Sequence, residues 1–289
     1  MKNKIENLLI KLGSLDRRII FVIIALSVTV PLINPNWVSL PIIAKPDTIK
    51  VFNELNKLEQ GDKVIISFEY GPSTMPEIHP MSIALLRHLF AKDILVYGFA
   101  LWPDGNFMST DAFSEVALEM NKEYDKHYIN LGYKPGGEAV IKGIASDIKT
   151  MYTVDLLGND IKKLNLMNGI KNISDFDFVI SLSAGDPGSK QWVQYGTDPK
   201  KIPFTTGCTS IQVTDIIPYL ETNQIRGILA GMPGAAEYES LVYNKYKQYN
   251  FSGEATGMMS AQSISHIVIV LFIIFGNITY YILRKRGKE

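Results

Sequence analysis

Lys63-Val64-Ile65-Ile66-Ser67-Phe68 follows the turn pair Gly61-Asp62 and leads into Glu69-Tyr70-Gly71-Pro72-Ser73-Thr74. A short β-branched run, opened by a turn signal and closed by Gly, Pro and hydroxyl residues, reads as a buried strand. The pattern returns at Asp177–Leu182 (DFVISL), closed by Ala184-Gly185-Asp186-Pro187-Gly188-Ser189-Lys190. Further strands are expected at Ile94–Leu101, Tyr128–Leu131, Ile202–Thr206 and Ile225–Ala230. Unlike half-exposed strands, these runs lack regular polar alternation, which suits a parallel sheet covered on both faces.

Between the strands the apolar period changes to that of a helix. Pro46–Glu59 carries Ile49, Phe52, Leu55 and Leu58 on one stripe, and Pro80–Ala91 carries Ile83, Leu86 and Phe90. Helices are also expected over 110–124, 137–148, 209–220 and 235–246, with residues 150–176 forming a crossover that holds one short helix. The reading is α/β: a single doubly wound, Rossmann-like, mostly parallel six-stranded sheet. Right-handed crossovers from a first strand in each half give the order 3-2-1-4-5-6.

In such a sheet ligands bind beyond the carboxyl ends of the strands, where the winding reverses. That places Glu69, Tyr70, Gly71 and Ser73 opposite Gly185, Asp186, Gly188 and Ser189. Asp104 follows the second strand, and Gly231 follows the sixth and opens a helix, where backbone N–H groups favour an anion. Neither a G-x-G-x-x-G fingerprint nor a P-loop occurs, so nucleotide binding has no motif behind it. Glu69, Asp104 and Asp186 are a conceivable carboxylate cluster for a cation or for acid–base work. Solvated loop acids are the commoner case, and no metal site is assigned. Cys208, the single cysteine, follows the fifth strand. A helix N-terminus there would acidify its thiol, with His79 as the nearest base; a small buried side chain is the plainer reading. No cofactor follows from the sequence.

Outside this body the chain changes character. No charged residue occurs from Ile19 to Ala44 or from Ala255 to Leu283. About 20 apolar residues cross a bilayer core of about 30 Å. Transmembrane helices are therefore expected at 19–35, ending near Pro31, Asn34 and Pro35, and at 264–283. Trp37, Tyr280 and Tyr281 lie where interfacial aromatics sit. No small-x-small cleavage site follows Val30, so the first segment reads as an uncleaved anchor. Within the spans, His266 and Asn277 fall on one helix face with Gln262 nearby, and Ser27 and Asn34 share a face. Such polar groups call for helix partners.

The chain is neutral overall, but the tails 1–18 and 284–289 are basic, and residues 19–283 carry a net charge of −6. The acidic body argues against a nucleic-acid partner. Basic tails beside short spans stay cytoplasmic. The expectation is a two-pass protein of the cell membrane, both termini cytoplasmic, with an extracytoplasmic α/β domain over 45–254. Its partners are then the lipid bilayer and other membrane protein subunits. Its function reads as a non-catalytic, membrane-anchored subunit that binds a ligand or partner. The alternative is an anchored hydrolase or transferase working at the crevice between the loops after strands one and four.

Overall fold

The computed structural model describes residues 16–33, 41–285 and 287. They fall into two compact units: Ile42–Ala255, and the described parts of Met1–Pro41 and Thr256–Glu289. Asn34, Pro35 and Trp37, and nearly all of the basic tail 1–18, lie outside the described residues.

Of the two expected spans, the described residues of the terminal unit supply one that meets the length and one that falls short. The last helix, α9 (Glu254–Lys285), has 32 residues and is the one described helix long and apolar enough to cross a membrane. It contains the expected 264–283 and extends the helix ten residues upstream. Helix α1 (Arg17–Ile33) has 17 residues and begins with two arginines. At 1.5 Å per residue it spans only about 25 Å, short of a full hydrocarbon core. Pro31 lies inside it and is buried. On α1 the less exposed positions Ile20, Ile24, Ser27 and Pro31 recur at heptad spacing. On α9 Ala261, Ser265 and Thr279 are buried. Ser27 Oγ and Ser265 Oγ are 3.2 Å apart.

In the body, β1 (Lys63–Glu69), β2 (Leu95–Ala100), β3 (Tyr128–Tyr133), β4 (Phe178–Ser183), β5 (Phe204–Cys208) and β6 (Ile228–Ala230) form one sheet. Every pair is parallel, in the order β3-β2-β1-β4-β5-β6. The expected strand order is thus observed. The last six of the seven β1 residues are buried, as a central strand covered on both faces requires.

One face is covered by α2 (Pro46–Asn56), α3 (Met75–Ala91), α4 (Pro103–Glu119) and α8 (Gly231–Lys245). The other is covered by α5 (Glu138–Ser146), the short α6 (Ile148–Met151), α7 (Val213–Glu221) and a π-helical turn, Trp192–Thr197. Residues 152–176 add three single 3-10 turns in place of the one helix expected there. Helices α3 and α4 begin several residues before their expected starts at 80 and 110. Both open with proline in the first turn, where its fixed φ and missing N–H are tolerated.

Arg87 and His88 are buried in the α3/α4/α8 layer. Arg87, 4% exposed, donates to Glu119 (2.7 and 3.2 Å), Glu115 (3.4 Å), the Ser252 carbonyl (3.2 Å) and the Tyr243 hydroxyl. Its guanidinium also stacks over Phe251 and Tyr243. His88 is fully buried, with Nδ1 2.6 Å from the Tyr238 hydroxyl and Nε2 3.2 Å from Asn56 Oδ1. Burial, helped by Lys245 and Lys92, drives its pKa down to about 3, so the ring is neutral.

Candidate functional site

Side chains alternate along a strand, so Ile65, Ser67 and Glu69 of β1 point to one face. Register carries that alternation across the sheet. Ser67 pairs with Ser181, and Ser181 with Thr206; Glu69 pairs with Ser183, and Ser183 with Cys208. Two short polar rows therefore cross β1, β4 and β5 at their carboxyl ends, in a layer otherwise built from Ile65, Val179 and Phe204. All of these residues are buried. This inlay lies where the winding reverses, between β1 and β4.

The inlay is wired by hydroxyls. Ser181 Oγ donates to Glu69 Oε2 at 3.0 Å. Ser189 Oγ donates to Ser181 Oγ at 3.2 Å and lies 2.6 Å from Thr206 Oγ1, which donates to the Ser181 carbonyl at 2.9 Å. Glu69 is wholly buried, and burial raises its pKa well above 4.5; Ser181 and Trp192 pull the other way without prevailing. The carboxyl is held towards its neutral form. Glu69 Oε1, Tyr152 Oη and Trp192 Nε1 are shut from solvent with no hydrogen-bond partner, as is Ser67 Oγ.

The loop after β4 roofs the inlay. The Trp102 indole donates to the Pro187 carbonyl at 2.9 Å. A Cβ at Gly185 would meet the Trp102 ring at 3.0 Å, and one at Gly188 would meet Ser183 Oγ at 2.0 Å. Glycine is required at 188 by this close approach, since its backbone is extended. At the end of β3, a cavity of about 360 Å³ is lined by Tyr152, Lys134, Asn106, Asp155 and their neighbours. Lys134 Nζ sits over the Tyr152 ring.

The expected site residues separate into three groups. Glu69, Gly185, Gly188 and Ser189 belong to the inlay and its roof; Asp186, in the same loop, is exposed and pairs with Lys190 at 3.2 Å. Tyr70 turns to the opposite layer, where its buried hydroxyl contacts His79 Nδ1 (2.9 Å) and Ser82 (2.7 Å), with Asp111 3.4 Å from His79 Nε2. Gly71 lies against Asp104, which is exposed in the first turn of α4. Ser73 is exposed. Gly231, at φ +57, lies against Ser210 and Glu77, whose carboxylate accepts from both Ser210 N and Oγ at 2.9 Å.

Two of the alternatives weighed from the sequence are not met. Glu69, Asp104 and Asp186 do not gather, and among the described residues no three His, Cys, Asp or Glu side chains could hold a metal ion. Cys208 ends β5 instead of opening a helix, and burial, with Glu77 adding to it, pushes its thiol up to about 12. His79 serves Tyr70 and Asp111, and burial holds its pKa below 6.5.

Ser67, Ser181, Ser183, Thr206, Tyr152 and Trp192 went unselected by sequence reasoning. The available signal was small: Ser67-x-Glu69 and Ser181-x-Ser183 place polar groups two apart at equivalent strand ends. In the terminal unit, Ser27 meets Ser265, a residue the face analysis did not select. Gln262, His266 and Asn277 are exposed on α9, and Asn277 Nδ2 donates to the Ile273 carbonyl at 2.8 Å.

No family profile and no curated protein matches the chain. Among solved structures, trehalose-6-phosphate synthase OtsA is similar over 86% of this chain and 47% of its own, at 12% identity and a TM-score of 0.30. This chain thus spans about half the length of that protein, and likeness at that level carries no functional argument.

Proposed function

We propose that the chain is a membrane-anchored α/β subunit of a larger membrane complex, binding a ligand or partner protein without a catalytic role of its own. The observation that carries this reading is the polar stripe on α9. Gln262, His266 and Asn277 fall within about 60° of one another at 100° per residue. The centre of this stripe lies about 120° around the helix from the centre of the buried positions Ala261, Ser265 and Thr279, with Gln262 coming nearest, about 60° from Ser265. Polar groups turned outward from an apolar helix need company in hydrocarbon. The company is another subunit's helix.

The anchoring geometry belongs to the same reading. α9 is the principal span, and α1 is a second, short crossing of about 25 Å that the bilayer meets by thinning locally, joined to α9 by the Ser27–Ser265 contact. Both tails are cytoplasmic and the α/β body is extracytoplasmic, on the strength of the basic tails. The alternative, an anchored hydrolase or transferase, has less behind it. The cysteine weighed as its nucleophile, Cys208, is buried with a raised pKa, and Glu69 lies beneath the roof.

The test is the mass of the protein extracted from its own membrane in mild detergent. The expected result is a complex heavier than one chain. Leucine substituted together at Gln262, His266 and Asn277 releases the chain from it, with the body's thermal transition unchanged. A stable lone monomer in the unaltered protein overturns the reading.

A further inference from the structure

We propose that the cavity at the end of β3 is a binding site for a small carboxylate with an apolar body, anchored on Lys134. The inference deepens the ligand-binding reading above and rests on it, giving the ligand a place and a chemical class.

Strand β3 carries a bulge. Gly98 pairs with Asn130 and Ala100 with Tyr133, so Leu131 and Gly132 together face Phe99 alone. Gly132 sits at φ +75, a conformation open to glycine. Two asparagines hold the bend: Gly132 N donates to Asn130 Oδ1 and Tyr133 N to Asn106 Oδ1, both at 3.0 Å. Lys134 N then resumes the ladder, donating to the Ala100 carbonyl at 3.0 Å. One extra residue inverts the alternation of side chains beyond it. In an unbroken strand Lys134 would follow Tyr128 and Asn130 to the α4 face, where Tyr128 stacks on Phe113 and Asn130 bonds Ser109. Beyond the bulge it joins Ile129 and Leu131 on the opposite face, which also holds Tyr152. Its Nζ lies 5.8 Å from the centre of the Tyr152 ring. Bulges that re-aim a side chain are concentrated beside functional sites.

The polar groups left over in the cavity are donors. Among the described residues Lys134 Nζ has no ion pair or hydrogen bond, only the Tyr152 ring. The Asn106 amide is oriented by the bond from Tyr133 N, which leaves its Nδ2 without a partner. Asp155, the one carboxylate of the lining, is 4% exposed and already accepts from the Tyr124 hydroxyl (2.7 Å), Asn159 N (2.7 Å) and Asn159 Nδ2 (3.0 Å). Unmatched donors around an ammonium select an oxygen anion. One positive charge, with Asp155 nearby, matches the single charge of a carboxylate better than a phosphate at about −1.5 to −2. The rest of the wall is apolar, from Leu131, Val154 and Leu156. At the mouth Phe107 and Leu157, each next in sequence to a lining residue, are 64% exposed. Exposed apolar side chains grouped around a polar anchor suit a ligand with an apolar body. The volume of about 360 Å³ falls at the small end of ligand pockets, about 300–1,000 Å³.

Fluorine NMR titration of the detergent-solubilised full chain with 4-fluorobenzoate tests this. Saturable binding is expected, displaced by hexanoate and not by inorganic phosphate. 4-Fluorobenzyl alcohol keeps the ring without the charge and should bind at least about tenfold more weakly. Lys134→Met should weaken 4-fluorobenzoate to the same degree, with the body's thermal transition unchanged. Val154→Asp, on the exposed rim, should weaken it by repulsion. The proposal is overturned by an absence of saturable binding, by an unaltered affinity in either variant, by an alcohol that binds as tightly as the acid, or by displacement with phosphate. The titration reads the site whatever the mass of the complex, so its failure is separate from the failure of the subunit reading.

Discussion

Arg87 and Glu69 are both withdrawn from water, on opposite faces of one sheet, and their surroundings treat them differently. Arg87 meets two carboxylates, a phenol, a carbonyl and two aromatic faces. Glu69 meets one serine hydroxyl and keeps an oxygen unengaged. A buried charge with a full complement of partners fastens α3 to α4 and α8. A buried acid with an incomplete one, driven towards neutrality, fastens little and leaves hydrogen-bonding capacity at the place where doubly wound sheets bind ligands. One layer spends its buried polar groups on cohesion, and the other leaves some of them unspent.

The sharpest probe of the cohesive layer is acid. His88 titrates near 6.5 when unfolded and near 3 in the fold. The unfolded chain therefore binds the proton first. The stability His88 contributes is complete above pH 6.5 and drains away as pH falls towards 3. The expected loss is on the order of 4 kcal/mol across that window. Urea denaturation at stepped pH reads it, and His88→Gln should lose that acid limb.

Next in size, Arg87→Met removes the shared donor for Glu119, Glu115 and Tyr243. Breaking a buried pair from one side costs about 3 kcal/mol, seen as a lower denaturation midpoint. A change within experimental error would mean that the two layers differ less than their hydrogen bonds suggest.

In the Glu69 layer the pH dependence has the opposite sign. Glu69 holds its proton in the fold above the pH at which the unfolded chain releases it. Its contribution is therefore complete below about pH 4.5 and lost as pH rises. Glu69→Gln should flatten the alkaline decline of the melting temperature and leave the acid limb set by His88 untouched. The smallest effect is expected from Ser181→Ala, about 1 kcal/mol for one buried hydroxyl bond. A much larger loss would recast the inlay as a structural fastening.

The sheet was legible because its cause is local. KVIISF and DFVISL are short β-branched runs between turn signals, and crossover handedness orders the strands. The place of the site was legible for the same reason. Its chemistry was not, because serine and threonine within an apolar strand carry no local message. Only the pairing of Ser67 with Ser181, and of Ser181 with Thr206, collects them into a row. Tyr152 and Trp192 arrive from the irregular 152–176 stretch and a π-helical turn, whose paths follow from tertiary packing. Helix starts were missed where prolines opened them, at Pro76 and Pro103. The first apolar helix was legible too: it was expected at 19–35, and the described helix runs over Arg17–Ile33.

The Trp102–Pro187 bond has an optical corollary. Trp102 is half-buried at the lip of the roof, whereas Trp192 is sealed beneath it. Emission from a variant retaining Trp102 alone should redden when that flap lifts, while a variant retaining Trp192 alone stays blue until the whole body melts. The molecule thus carries its own pair of fluorophores for separating local breathing from global denaturation.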